Sequence, residues 1–213
     1  MNHTLGPRLL HLSSFYTHEQ EIWDIGCDHG YLGLSFLCLE TVSSVYLVDP
    51  SKKVIDQLIN KLKDSYITIP NKIKVLNQKG QYLEISKNIK KIIFIAGMGG
   101  KEIIDILDHM KPQLSVEDSV IISPHKNILE LRKYLLESEF RLKDESVISE
   151  SGRFYQVLCL SLFSGHPKVS AFGEKLWSGS LGNSYRDYIL STFSSHQDQL
   201  SMEFVHYLRH LSY

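Results

Sequence analysis

Between residues 21 and 163, short β-rich runs alternate with amphipathic stretches of helical period, and no other feature restricts the fold as sharply. That alternation implies parallel strands joined by crossover helices. The runs Glu21–Ile25, Ser44–Val48, Lys72–Leu76, Lys91–Ile95 and Ser119–Ser123 read as strands, with helices predicted over Tyr31–Glu40, Ser51–Ser65, Gly100–Met110 and Asn127–Ser138. The rhythm then breaks. Phe140–Ser149 and Arg153–Phe163 are consecutive strand-like runs separated only by the turn signal Glu150-Ser151-Gly152, so no helix fits between them. The expected α/β fold is therefore a mostly parallel, Rossmann-like seven-stranded sheet that closes with an antiparallel hairpin.

This element order is that of the class I methyltransferase sheet and differs from an ordinary dinucleotide-binding fold, whose later strands stay parallel. Residues 1–163 are expected to form that domain. Residues 164–183 carry four glycines and a proline around a short helix, and 184–211 hold apolar residues at helical spacing, so 164–213 reads as a short helical region.

In residues 22–37, IWDIGCDHGYLGLSFL, a buried strand passes Asp24, turns through Gly26, Cys27, Asp28, His29 and Gly30, and enters a helix near Tyr31. Glycines let backbone approach a ligand, and a helix start offers free N–H donors. In a dinucleotide site those donors face a pyrophosphate. Asp28 would repel one but can accept from an ammonium group, which favours S-adenosylmethionine (SAM) over NAD. Asp49, followed by Pro50, ends the next strand, where an acid can accept both hydroxyls of a ribose. Gly26 and Gly30 as plain turn formers are the simpler alternative.

In residues 93–104, IFIAGMGGKEII, an apolar strand runs into Ala96, Gly97, Met98, Gly99 and Gly100 at the edge where open α/β sheets bind ligands. Such a backbone gives room and carbonyl acceptors for a flat base, although a close helix–strand crossing also wants small residues. His125 leaves the fifth strand after Pro124 toward the same edge, either bordering a substrate or as an ordinary polar loop residue.

These segments resemble the bacterial tRNA (adenine-N1)-methyltransferases that modify tRNA position 22. The resemblance rests on residues 24–32 (DIGCDHGYL), residues 95–100 (IAGMGG), and Leu131-Arg132-Lys133-Tyr134-Leu135 followed by Glu150-Ser151-Gly152-Arg153-Phe154-Tyr155; it spans about residues 5–163 and includes Arg8-Leu9. It implies SAM as cofactor and tRNA as partner. Asp24, Gly26, Cys27, Asp28, Gly30, Asp49, Pro50, Gly80, Gln81, Ala96 and Gly97 are expected to hold the cofactor, and Asp28, His29, Tyr31, Met98, Gly99 and His125 to form the catalytic site around the target base, with Asp28 the acid nearest the charge that forms. The chain departs from the family pattern at three places. Gln78-Lys79-Gly80-Gln81 replaces a Gly-Asp-Gly-Leu whose acid lies near the adenine, Lys52-Lys53 replaces a Gly-Pro pair, and Ser123-Pro124-His125 replaces Gln-Pro-Asn. A SAM enzyme for another RNA site or a small molecule, or a non-catalytic binding protein that has lost its cofactor through Lys79, are the competing readings.

The net charge of −1 hides a block from Lys52 to Lys101 with eleven lysines against three acids, a candidate RNA face or a set of solvated lysines. The C-terminal helices are the other candidate tRNA contact. His206 and His210 stand four apart without the glutamate of a hydrolytic zinc site, so no metal is indicated. Cys27, Cys38 and Cys159 are widely spaced and form no CxxC pair, and no apolar run reaches the roughly 20 residues of a bilayer span. A cytoplasmic protein, monomeric or weakly dimeric and without membrane association, is the expectation.

Overall fold

The computed structural model describes residues 5–211. Its sheet has seven strands: β1 (Glu21–Ile25), β2 (Ser44–Asp49), β3 (Ile73–Asn77), β4 (Lys91–Ala96), β5 (Ser119–Ser123), β6 (Arg141–Glu150) and β7 (Arg153–Ser161). They lie in the order β3-β2-β1-β4-β5-β7-β6, parallel through β5, with β7 antiparallel to both β5 and β6. The expected sheet and closing hairpin are both present.

The helices are α1 (Pro7–Ser13), α2 (Tyr31–Leu34), α3 (Lys52–Ser65), α4 (Gly100–Met110), α5 (Ile128–Glu137), α6 (Gly182–Phe193) and α7 (Gln199–Arg209). Alternate residues of the central strands feed two separate apolar layers, as period-2 side-chain alternation requires. Ile22, Ile92 and Phe94 pack with Leu12, Leu32, Leu58 and Leu62 of α1–α3. Trp23, Ile25, Ile93 and Ile95 pack with Ile103, Leu107, Leu131 and Leu135 of α4 and α5. Helices therefore cover both faces.

Two local outcomes differ from the sequence expectation. The helix expected over Tyr31–Glu40 stops at Leu34, beyond which Phe36, Leu37 and Leu39 donate to carbonyls three residues back and the chain tightens into turns. Those turns place Phe36 in the core, stacked 5.6 Å from Phe94. Helix α1 was not anticipated; it begins at Pro7, whose fixed φ suits a first helical position, and buries Leu12.

Beyond β7, a single 3-10 turn (Glu174–Trp177) leads into α6 and α7, which form a third apolar cluster around Trp177, Tyr185, Ile189, Phe204 and Leu208. Arg132, fully buried on α5, ties this cluster to the sheet. Its Nε donates to Gln156 Oε1 at 2.7 Å, Nη1 to the Ser170 carbonyl at 2.9 Å and Nη2 to Glu145 Oε2 at 2.5 Å. Gln156 in turn donates to the Tyr185 hydroxyl at 2.7 Å.

Removing one partner of a buried ion pair strands the other charge, whereas an exposed pair contributes little. Glu145→Ala is expected to lower unfolding free energy in urea by about 3–5 kcal/mol. Glu139→Ala, which breaks only the exposed 3.4 Å contact to Lys111, is expected to stay within about 0.5 kcal/mol of wild type. Equal losses from the two variants would contradict this assignment.

Candidate functional site

The chain leaves β1 toward one face of the sheet and β4 toward the other, which opens a crevice at the carboxyl ends of these neighbouring strands. A cavity of about 760 Å³ occupies it. Two glycine turns form its floor. Gly26 has φ +75°, and a side chain there would come within 2.7 Å of Met98 Cε; Gly97, also at φ +75°, faces open space. Left-handed backbone at both positions brings the two turns face to face without side chains between them.

Of the candidate residues, Asp24, Gly26, Cys27, Asp28, His29, Tyr31, Asp49, Pro50, Gly80, Gln81, Ala96, Gly97, Met98 and His125 all line this cavity. Gly30 and Gly99 are not on its lining. Gly30 closes the first loop, donating to the Cys27 carbonyl at 2.7 Å with its α-carbon turned toward Leu58. Gly99 precedes α4, donates to Glu102 Oε2 at 2.8 Å and lies against Lys126. Gly100 is demanded by packing, because a side chain there would come within 2.3 Å of the Asn127 carbonyl. The glycine run thus serves the cavity at Gly97 and the packing against Asn127 at Gly100.

Three carboxylates converge here. Asp24 is buried at the end of β1, and its Oδ2 accepts the Gly33 N–H at 2.9 Å. Burial, followed by the like charges of Asp28 and Asp49, pushes its carboxyl up to about 6 despite that bond. Asp49 Oδ1 accepts the Ser51 N–H at 2.8 Å, which orients the carboxylate where α3 begins. Asp28, at φ +48°, is largely exposed at the mouth, with Oδ2 3.7 Å from His29 Nε2. Cys27 contributes no thiolate: burial and the charges of Asp24 and Asp49 push its thiol far above the ordinary range.

Positive groups stand around the mouth. Lys61 Nζ lies 3.7 Å from the Tyr31 ring centroid, and Arg8, Lys79 and Lys126 line the cavity. The lysine block is otherwise dispersed: Lys91 is buried against Asp118 at 3.2 Å, Lys90 faces Glu19 and Lys52 pairs with Asp56. His125 is exposed, and its backbone N–H donates to the Met98 carbonyl at 3.1 Å, joining the two edge segments. Glu102, Ile106 and Lys126 also line the site. No motif pointed to them, since they arrive through the packing of α4 against the 125–127 segment.

A family model described as a methyltransferase domain matches residues 5–158. The tRNA (adenine(22)-N(1))-methyltransferase of Bacillus subtilis is 28% identical over 159 residues, 72% of this chain and 63% of the relative. The chain spans less than two thirds of the length of the curated relatives it matches. Among solved structures, a Streptococcus pneumoniae protein in complex with S-adenosyl-L-methionine superposes with TM-score 0.79 at 22% identity, covering 97% of this chain and 98% of that one. M. capricolum TrmK in complex with S-adenosyl-homocysteine gives 0.74 at 19%, covering 97% and 94%. These structures share the fold of this chain.

The Asp24 carboxyl has a pH signature. An acid whose folded pKa of about 6 exceeds its ordinary value of 3.8 binds its proton more tightly when folded. Its cost is absent below pH 4, grows as pH rises to 6, and is then complete at about 3 kcal/mol. Asp24→Asn keeps an acceptor for Gly33 and removes the charge. Thermal melts are expected to show the variant gaining stability over wild type from pH 4 to 7. A constant difference across that range would contradict the assignment.

Proposed function

The chain belongs to the methyltransferase-domain family, and from that premise we propose that it is a SAM-dependent methyltransferase acting on N1 of an adenine, at position 22, in tRNA. The observation that carries this reading is the convergence of Asp24, Asp28 and Asp49 with two glycine turns in one cavity. Burial, and then the like charges of Asp28 and Asp49, raises Asp24; a pyrophosphate would add to that repulsion, whereas a ligand with an ammonium and a sulfonium offsets it. The donor set thus fits SAM. When bound, SAM supplies an electrophilic methyl group.

The remaining work belongs to the chain. Asp49, whose Oδ1 accepts the Ser51 N–H, would hold the ribose hydroxyls, and Asp28 would accept from the ammonium. Gly80, packed against Ile106 and Ile25, places Gln81 on the cavity lining, where it would border the adenine of the cofactor. Adenine N1 already carries a lone pair, so no strong base is needed. The chain must extrude the base, hold it flat and offset the positive charge that forms on its ring. The 97–98 backbone, Tyr31 and His125 border the base, and Asp28, with His29 beside it, is the acid available to offset the charge or take a proton from the exocyclic amine. Lys61, Lys79 and Lys126 are the cations available to the phosphates, while Arg8 is held by Glu150 at 3.7 Å. Residues 1–163 form the catalytic domain, 164–213 assist in holding tRNA, and the reaction belongs to the cytoplasm.

Labelled methyl transfer from SAM to unmodified bacterial tRNA, with nucleoside mass spectrometry, tests this directly. N1-methyladenosine is expected and should vanish when the position-22 adenine is replaced. A SAM-induced rise in Tm without transfer would point to another acceptor, and no rise would sink the cofactor assignment.

Two substitutions divide the roles. Asp49→Ala is expected to weaken SAM binding about 10- to 100-fold, the loss of hydrogen bonds to a charged group. Asp28→Ala is expected to abolish turnover. Persistent turnover with weakened SAM binding alone would restrict Asp28 to the cofactor.

A further inference from the structure

A second cavity of about 670 Å³ opens between the start of α5, strand β7 and helices α6 and α7. It falls within the 300–1,000 Å³ typical of ligand sites. His125 and Lys126 line it as well as the first cavity, so the two hollows form one trough with a common wall.

The lining combines aromatic rings with charged groups. Phe154, Tyr188 and Phe193 present rings to it, and Tyr188 is 37% exposed although it packs 5.2 Å from Phe154. Lys126 and Lys133 are exposed on the same wall. The acids that line it are engaged within the protein: Glu130 accepts from Asn127 Nδ2 at 3.2 Å, and Asp198 accepts the Ser201 N–H at 2.9 Å as the cap of α7. Rings for stacking beside cations for phosphate are the combination that binds single-stranded nucleic acid.

We propose that this cavity receives the nucleotide next to the target adenine, its base stacked on Tyr188 and Phe154 and its phosphate facing Lys126 and Lys133. The proposal rests on the RNA reading above. A base drawn into the first hollow pulls its neighbour along the backbone to the wall at 125–126, and the second hollow lies on the other side of that wall. Extrusion breaks the stack on which both bases rested, and an aromatic platform for the neighbour replaces what it loses.

The test uses the full-length chain, fluorescently labelled unmodified tRNA, and the variants Tyr188→Ala, Tyr188→Phe and Lys133→Ala. Tyr188→Ala is expected to weaken tRNA binding and raise its KM between about 5- and 150-fold, the range for one lost stacked base, with kcat and SAM affinity unchanged. Tyr188→Phe should retain binding. Lys133→Ala, at an exposed position that does not threaten the fold, should lower the slope of log affinity against log salt by about 1. Wild-type methylation of tRNA with neither Tyr188→Ala nor Lys133→Ala altering binding would overturn the trough and leave the reaction standing. RNA binding that is sensitive to these variants, without methyl transfer, would do the reverse. Absence of RNA binding by the wild type would overturn both.

Discussion

Strands β1 and β4 lie side by side and run in the same direction, yet the chain must leave them toward opposite faces of the sheet. Nothing can fill the space directly beyond their ends, because each connection turns away from the other. The crevice is thus a consequence of topology, present before any functional side chain is specified. What remains is to keep it open and shallow-walled. Gly26 and Gly97 do so by adopting left-handed backbone, where a side chain would be strained and, at Gly26, would meet Met98. The carboxylates inherit their positions from the same geometry, Asp24 from the penultimate position of β1 and Asp49 from the end of β2.

The cavity carries an electrostatic cost that the fold does not need. Three carboxylates share one hollow, and burial, followed by the like charges of the other two, raises the most buried of them well above its ordinary range. A protein selected for stability alone would place an amide at position 24, since the Gly33 N–H requires only an acceptor. Unfavourable charge in a concave site is characteristic of ligand binding, where a cation completes the arrangement. Lys61, Lys79 and Lys126 stand around this acidic interior, whereas Arg8 is paired with Glu150, so the site presents opposite signs to a small cationic ligand and to an approaching polyanion.

Much of this was legible in the sequence because the signals were local. Strand runs, the Glu150-Ser151-Gly152 turn and the two glycine loops each announce themselves within a few residues, and fourteen of the sixteen candidate site positions line one cavity. The rest depended on contacts distant in sequence. Gly99 and Gly100 both read as further room for a base, but the need for Gly100 comes from the Asn127 backbone, 27 residues away. The predicted helix over Tyr31–Glu40 had the right apolar content, yet tertiary packing of Phe36 against Phe94 favours turns after Leu34. The lysine block could not be read as a face, because its members divide between a buried ion pair, surface pairs and the cavity mouth.

The second hollow exists only because α6 and α7 are held at a fixed distance from the sheet, and the manner of that attachment matters. A purely apolar contact would bind the helices as strongly, since buried ion pairs are seldom more stabilising than hydrophobic replacements. Apolar contacts, however, tolerate sliding and repacking. The Arg132 guanidinium does not: its planar donors meet Gln156 on β7, Glu145 on β6 and the Ser170 carbonyl of the linker in three set directions, and Gln156 passes the constraint to Tyr185 on α6. Tyr185 lines the hollow one helical turn from Tyr188. A buried polar network thus fixes the register of the aromatic wall relative to His125 and Lys126, which is the geometry that two nucleotides bound on either side of one short segment would require.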